Sequence, residues 1–209
     1  MLHKKTVEPA TLALLKELMV LDELKEFRLV GGTALSLLIG HRSSIDLDLF
    51  SDHPFNRDSI IDKLNENYAS FQFQGITSAR LFFTIINDVK VDFANPFEKF
   101  AYDYTVIDEI RFAAIEEIIA LKLNAIAGRG AKKDFWDLHA LLDIYSFEQM
   151  ISFYHKRYPN NSLGMVAKSI SYFAVADLQP DPYCFKNLQW ENIKSNILTK
   201  FNTYIQNIN

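Results

Sequence analysis

The chain has 209 residues, 49% hydrophobic and 23% charged, with 17 Phe and 9 Tyr, enough for one large or two small globular domains with a sizeable core. A formal net charge of −4 excludes a surface that attracts polynucleotides as a whole, so any nucleic-acid contact must come from a local basic patch. The lone cysteine, Cys184, excludes an intramolecular disulfide and a cysteine-built zinc site, and it fits a reducing cytoplasm.

The N-terminus passes from Lys4-Lys5 into Thr6-Val7-Glu8-Pro9, which does not read as a signal peptide, and no apolar run approaches a bilayer span. The expectation is a cytoplasmic protein with no membrane partner. Residues 10–26 read as an amphipathic helix, with Leu14, Leu15, Leu18 and Leu21 near helical spacing and Pro9 suited to the first turn. Phe27 to Val30 is a short buried strand ended by Gly31-Gly32, and Thr33 to Leu38 is helical, closing at Gly40. Residues 45–50 form an acidic strand, and Asn56 opens a helix that runs through Tyr68. Leu81 to Ile86 and Val89 to Phe93 are strands joined by the Asn87-Asp88 turn.

After about residue 105 strand signals fade. Helices are expected over 114–127, 132–145, 147–158, 162–176 and 188–207. The predicted fold is α+β: a mixed sheet with flanking helices in residues 1–105, then a helical bundle in 106–209.

The acidic strand carries the strongest chemical signal. Alternate strand residues share a face, so Asp46 and Asp48 project together while Ile45, Leu47 and Leu49 point into a core. Two carboxylates about 4 Å apart repel by roughly 4 kcal/mol at an effective dielectric near 20. A cation between them, protonation of one, or intervening water would relieve this. Magnesium with a phosphate substrate is the most economical choice. Asp92, alternating with Val91 and Phe93, is a third candidate ligand on a neighbouring strand, and an oxygen-only set suits magnesium or manganese. Any one of these aspartates alone reads as a turn or edge charge, but two on one face of an apolar strand are harder to dismiss.

Gly31-Gly32-Thr33 links a strand to a helix, a context that aims backbone N–H groups at an anion. Its bland reading is a turn with Thr33 as helix N-cap. Arg42, in His41-Arg42-Ser43-Ser44, could contact phosphate or hold a carboxylate, and His41 reads as structural. Further on, Lys122 lies in a mostly apolar helix and needs a partner or an exit to solvent. Arg129, Lys132 and Lys133 surround a glycine-rich connection, and Asp134 and Asp137 share a helix face. Without the acidic strand, this stretch would read as a solvated basic turn with a capping aspartate.

Taken together, Gly31-Gly32-Thr33-Ala34-Leu35 followed by His41-Arg42-Ser43-Ser44-Ile45-Asp46-Leu47-Asp48-Leu49-Phe50 resembles the polymerase-β-like nucleotidyltransferases, and within them the AbiEii/AbiGii-type toxins of abortive-infection toxin–antitoxin systems. Lys122 and Arg129 through Lys133-Asp134-x-x-Asp137-Leu138 extend the resemblance, which covers roughly residues 28 to 140. It implies a magnesium-dependent nucleotidyltransferase, with two ions, that moves a nucleoside monophosphate from an NTP to an acceptor hydroxyl on a tRNA end or a protein. A cognate antitoxin would be its regulator. The resemblance implies that Gly31, Gly32 and Thr33 hold the triphosphate, with Arg42, Arg129 and Asp134 as further nucleotide-binding candidates. Asp46 and Asp48, with Asp92, would bind metal; Lys122 would contact or orient the triphosphate; Asp134 or Asp137 would complete the site as a base. One departure is Gly32-Thr33 where the superfamily often has Gly-Ser, which keeps the hydroxyl. Alternative readings are a non-catalytic nucleotide- or partner-binding scaffold and a small-molecule transferase of the aminoglycoside-modifying type, whose cationic substrate would suit the acidic balance.

Overall fold

The computed structural model describes residues 1–78, 80–96, 98–186 and 188–208. The chain divides into two compact units, Met1–Gly40 with Ser44–Ala114, and His41–Ser43 with Ile115–Asn209. The division falls after Ala114 rather than after residue 105, because a hairpin that sequence pattern did not mark completes the sheet of the first unit.

The first unit is built on a mixed sheet. Its strands are β1 (Arg28–Val30), β2 (Leu47–Phe50), β3 (Phe71–Ser78), β4 (Leu81–Ile86), β5 (Val89–Ala94), β6 (Thr105–Ile107) and β7 (Ile110–Phe112), in the spatial order β3-β4-β5-β2-β1-β7-β6. β2 runs antiparallel to β1 and parallel to β5, while β4 and β5 form a hairpin. Asn87 and Asp88 both have positive φ, 49° and 64°, the backbone of a two-residue turn that matches the twist of the flanking strands. The hairpin missed by sequence, β6–β7, turns on Asp108 and Glu109, also at positive φ, and Lys4 and Lys16 pair with these two carboxylates.

Helix α1 (Pro9–Met19) is shorter than the periodicity suggests. Leu21 takes an extended backbone and a single 3-10 turn, Asp22–Leu24, follows. Arg111 fastens this corner, donating to the carbonyls of Met19, Leu24 and Phe27 at 2.8, 2.9 and 3.0 Å. Helix α2 (Gly31–Ile39) packs on β1 and β2, and α3 (Arg57–Asn67) packs near β3 with Asn56 capping its Ser59 N–H. Strand alternation sends Leu47, Leu49, Val91 and Phe93 into the core, where Phe93 stacks on Phe82 and meets Phe27 edge-on.

The second unit is helical: α4 (Ile115–Gly128), α5 (Lys132–Leu141), α6 (Phe147–Arg157), α7 (Leu163–Ile170), α8 (Ala174–Asp177) and α9 (Trp190–Ile208). The helix expected over 162–176 is thus two helices, broken around Ser171–Phe173. α6 opens with a reciprocal capping box between Ser146 and Gln149. Trp136 of α5 lies parallel to Trp190 of α9, Phe135 and Phe201 are buried, and the half-buried Phe173 packs against Phe135. Among the described residues, no helix is long and apolar enough to cross a membrane.

Candidate functional site

In the first unit, the glycine pair and the acidic strand meet through one contact. Gly31 begins α2 at φ +72°, a left-handed backbone that favours glycine. A Cβ there would lie 2.0 Å from Oδ2 of Asp48, so the Asp48 carboxylate rests against the Gly31 backbone in space that only glycine leaves. The N-cap residue of α2, Val30, supplies no side-chain cap, and a carboxylate at this end of a helix suits its dipole. Gly32 is buried in the first turn of the helix.

Thr33 lies within α2 rather than at its N-cap, and it is fully buried. Its hydroxyl donates to the Asp46 carbonyl and stands 2.9 Å from the Ser44 hydroxyl. This side chain is therefore committed to shaping the approach to β2. The capping role is overturned, and the phosphate contact expected of Thr33 is not the bond its hydroxyl makes.

Asp46 precedes β2, and Ile45 is 62% exposed rather than in the core. The reason is that pairing begins only at Leu47 with β5 and at Asp48 with β1, so alternation does not extend back to residue 45. Asp48 and Asp92 are direct register partners on parallel strands, which puts both side chains on one face of the sheet. Oδ1 of Asp92 is buried and accepts no hydrogen bond. Its Oδ2 accepts from the Lys90 ammonium at 2.8 Å. Burial lowers the Lys90 pKa, but its bond to Asp92 and the charges of Asp92, Asp46 and Asp48 outweigh that and raise it. Among the described residues no three His, Cys, Asp or Glu groups stand close enough to hold a metal. The donor chemistry nonetheless suits magnesium: oxygen ligands only, one of them unpartnered, with an ammonium drawn into the field of all three carboxylates.

The second unit gathers its charges around α5. Asp137 is wholly buried and accepts from Arg42 at 2.6 and 3.0 Å in a two-pronged pair, lies 2.6 Å from His41 Nε2, and meets the Lys122 ammonium at 2.7 Å. Asp134, also wholly buried, takes Lys122 at 3.1 Å and Arg129 at 2.8 and 3.0 Å. Lys122, Arg42 and Arg129 thus meet these two carboxylates. Burial pushes the Asp137 carboxyl upward, but Lys122 and Arg42, with hydrogen bonds from His41 and Arg42, hold it well below the usual carboxylate range. Asp134 is lowered too, its burial outweighed by Arg129 and Lys122. Burial also works against the Lys122 charge, yet the two aspartates keep its pKa raised.

A carboxylate held this way is a poor proton acceptor. The base expected of Asp134 or Asp137 gives way to orientation: the pair positions Lys122, Arg42 and Arg129. Arg42 holds a carboxylate, one of the two roles its sequence left open. Asp134 pairs with the buried Lys122 and the exposed Arg129, whereas the N-cap residue of α5 is Ala131. Sequence reading missed Lys90, although alternation along Val89–Ala94 puts it on the face of Asp92. It also took His41 as merely structural, and no local signal links it to a carboxylate ninety-six positions away.

A model of the family described as "Nucleotidyl transferase AbiEii toxin, Type IV TA system" matches residues 13–206. An uncharacterised protein of Aquifex aeolicus (strain VF5) is 30% identical over 211 residues, covering 92% of this chain and 95% of that protein. MenT4, a nucleotidyltransferase toxin of Mycobacterium tuberculosis H37Rv, is similar in structure with a TM-score of 0.62 at 14% identity, over 90% of this chain and 78% of that one. JHP933 from Helicobacter pylori gives 0.54 at 17% identity, over 94% and 92%. At such identities the two structures show a shared fold.

Proposed function

The chain belongs to the AbiEii nucleotidyl transferase toxin family, and from that premise we propose that it transfers a nucleoside monophosphate from an NTP to an acceptor hydroxyl, with magnesium as cofactor. The observation that carries this reading is the register pairing of Asp48 with Asp92 beside the Gly31 backbone, which sets carboxylates and a helix N-terminus on one face of the first unit. Asp46, Asp48 and Asp92 would hold the metal. The chemistry that magnesium supplies when bound is neutralisation of the triphosphate and a lowered pKa for the attacking hydroxyl.

The chain's own residues do the rest. Gly31 and Gly32 are proposed to present the start of α2 to a phosphate beside the Asp48 carboxylate. The acceptor oxygen attacks the α-phosphorus, and the bond from that phosphorus to the bridging oxygen of the β-phosphate breaks. The hydroxyl proton passes to water, because the three aspartates are committed to the metal. Within the second unit, Lys122 and Arg129, held by Asp134 and Asp137, are the proposed nucleotide-binding cations. The acceptor is proposed to be a tRNA end or a protein side chain. The regulator is proposed to be a cognate antitoxin, which the type IV toxin–antitoxin description of the family supports.

The test is the double variant Asp46→Asn/Asp48→Asn. Incubated with each labelled NTP, magnesium and total tRNA, it should lose all transfer while melting within a few degrees of the parent. Undiminished labelling would sink the mechanism. Magnesium-dependent stabilisation by an NTP without any transfer, in the parent protein, would instead favour a binding scaffold.

A further inference from the structure

Lys90 has no part in the mechanism above, yet it holds a ligand that the mechanism needs. Its ammonium lies 2.8 Å from Oδ2 of Asp92 and stands in the field of Asp46 and Asp48 as well. Lys90 and Asp92 are two residues apart on β5 and share a face, so this pairing is built into the strand and needs no loop to form it. A compact cation paired with Asp92 supplies part of the neutralisation that a divalent ion would supply there.

The ammonium also has somewhere else to go. Half of the Lys90 side chain is exposed, and its Nζ lies 5.6 Å from the centre of the Phe83 ring, the register neighbour of Asp92 on β4. Beside it Gln74, Phe83, Thr84 and Ile85 line a shallow hollow of about 370 Å³ on the β3–β5 part of the sheet, and Lys90 forms part of its wall. A four-carbon stem with freely rotating bonds can swing from Asp92 onto that aromatic surface at little cost.

We infer that Lys90 is a resident counter-cation of the aspartate face: with no divalent ion bound, its ammonium neutralises Asp92, and a divalent ion displaces it toward the Phe83 hollow. This rests on the proposed metal role of Asp46, Asp48 and Asp92. It adds that the chain keeps these carboxylates charged and spaced between turnovers by means of its own side chain, at the expense of some metal affinity. The partly compensated site would then be folded and ready before any metal arrives, and metal binding would be a competition rather than a simple addition.

The experiment is a manganese titration of the full chain, read by the electron paramagnetic resonance of the free ion, with no nucleotide present. Lys90→Met should bind manganese about three- to tenfold more tightly than the parent, because a like charge and a competing partner are both gone. Lys90→Arg should stay near the parent, and Lys63→Met, which removes a charge from α3 paired with Glu66, should stay within about twofold. A parallel melt should show a larger manganese-induced rise in Tm for Lys90→Met than for the parent. Unchanged or weaker binding by Lys90→Met, or an equal gain in Lys63→Met, would overturn the inference while leaving the metal site standing. If the parent shows no manganese binding that Asp46→Asn/Asp48→Asn removes, the metal reading itself fails, and this inference fails with it.

Discussion

Asp137→Asn perturbs the second unit at its most heavily charged point. The Lys122 ammonium lies 2.7 Å from one carboxylate oxygen, and Arg42 bridges both oxygens at 2.6 and 3.0 Å. At an effective dielectric near 20, each such pairing is worth about 6 kcal/mol of gross attraction. Most of that is offset by the cost of taking the charges out of water, since Asp137, Arg42 and Lys122 are all buried. What the substitution removes is the compensation, leaving Arg42 and Lys122 buried with one negative charge fewer beside them. The expected loss is about 3–5 kcal/mol, which for a chain of this size lowers Tm by roughly 6–20 °C.

The assay is urea unfolding followed by tryptophan fluorescence. Trp136 and Trp190, the two tryptophans of the chain, both belong to the second unit and lie against each other, so the signal reports this unit alone. Combining Asp137→Asn with Lys122→Met should recover about 1 kcal/mol or more relative to the sum of the single losses, because the double variant no longer buries that lone ammonium. The pH dependence has a definite sign. The folded pKa of Asp137 is depressed, so its stabilisation is fully present above the unfolded value near 3.9 and is lost as pH falls through the lower folded value. The parent should therefore lose stability on the acid side of about pH 4, and the Asn variant should lack that contribution. A loss under about 1 kcal/mol, or strict additivity with Lys122→Met, would refute the view that this cluster is a coupled, mutually compensating unit.

Gly31→Ala should cost about 1–3 kcal/mol in a melt and reduce transfer at least about a hundredfold, since its φ of +72° is strained for alanine and its methyl group would evict the Asp48 carboxylate. Gly128→Ala, with open space around it and no positive φ, should leave both readings near the parent. Arg111→Lys should destabilise by about 2 kcal/mol in chemical unfolding, because one ammonium cannot serve three carbonyls that a guanidinium reaches together; a loss below about 0.5 kcal/mol would mean water replaces those bonds. Ser146→Ala removes the hydroxyl half of the α6 capping box and should cost about 1 kcal/mol by tryptophan-monitored urea unfolding.

Where a signal is local, the sequence displays it. Alternation in Leu47-Asp48-Leu49 and Val91-Asp92-Phe93 marked which side chains enter the core, and the structure buries those apolar ones. Asn87-Asp88 marked a hairpin turn because a short polar side chain tolerates a left-handed backbone. Asp108-Glu109 makes the same kind of turn without that signature, between strands of three residues, too short for alternation to show. Ile45 shows the opposite failure: the pattern continued in the sequence after the ladder had ended in space.

The sequence by itself determined the family, the α+β composition, the acidic strand and the glycine pair, because each depends on residues within a few positions of one another. Only the tertiary structure decided which partners those residues have. It set Asp92 opposite Asp48 across a parallel pair of strands, laid Asp48 against Gly31, and brought Arg42 to Asp137 from ninety-five positions away. It also turned Asp137 from a candidate base into an orienting anion. A carboxylate's proton affinity is set by the charges and burial around it, and those are properties of the packed chain that no local spacing encodes.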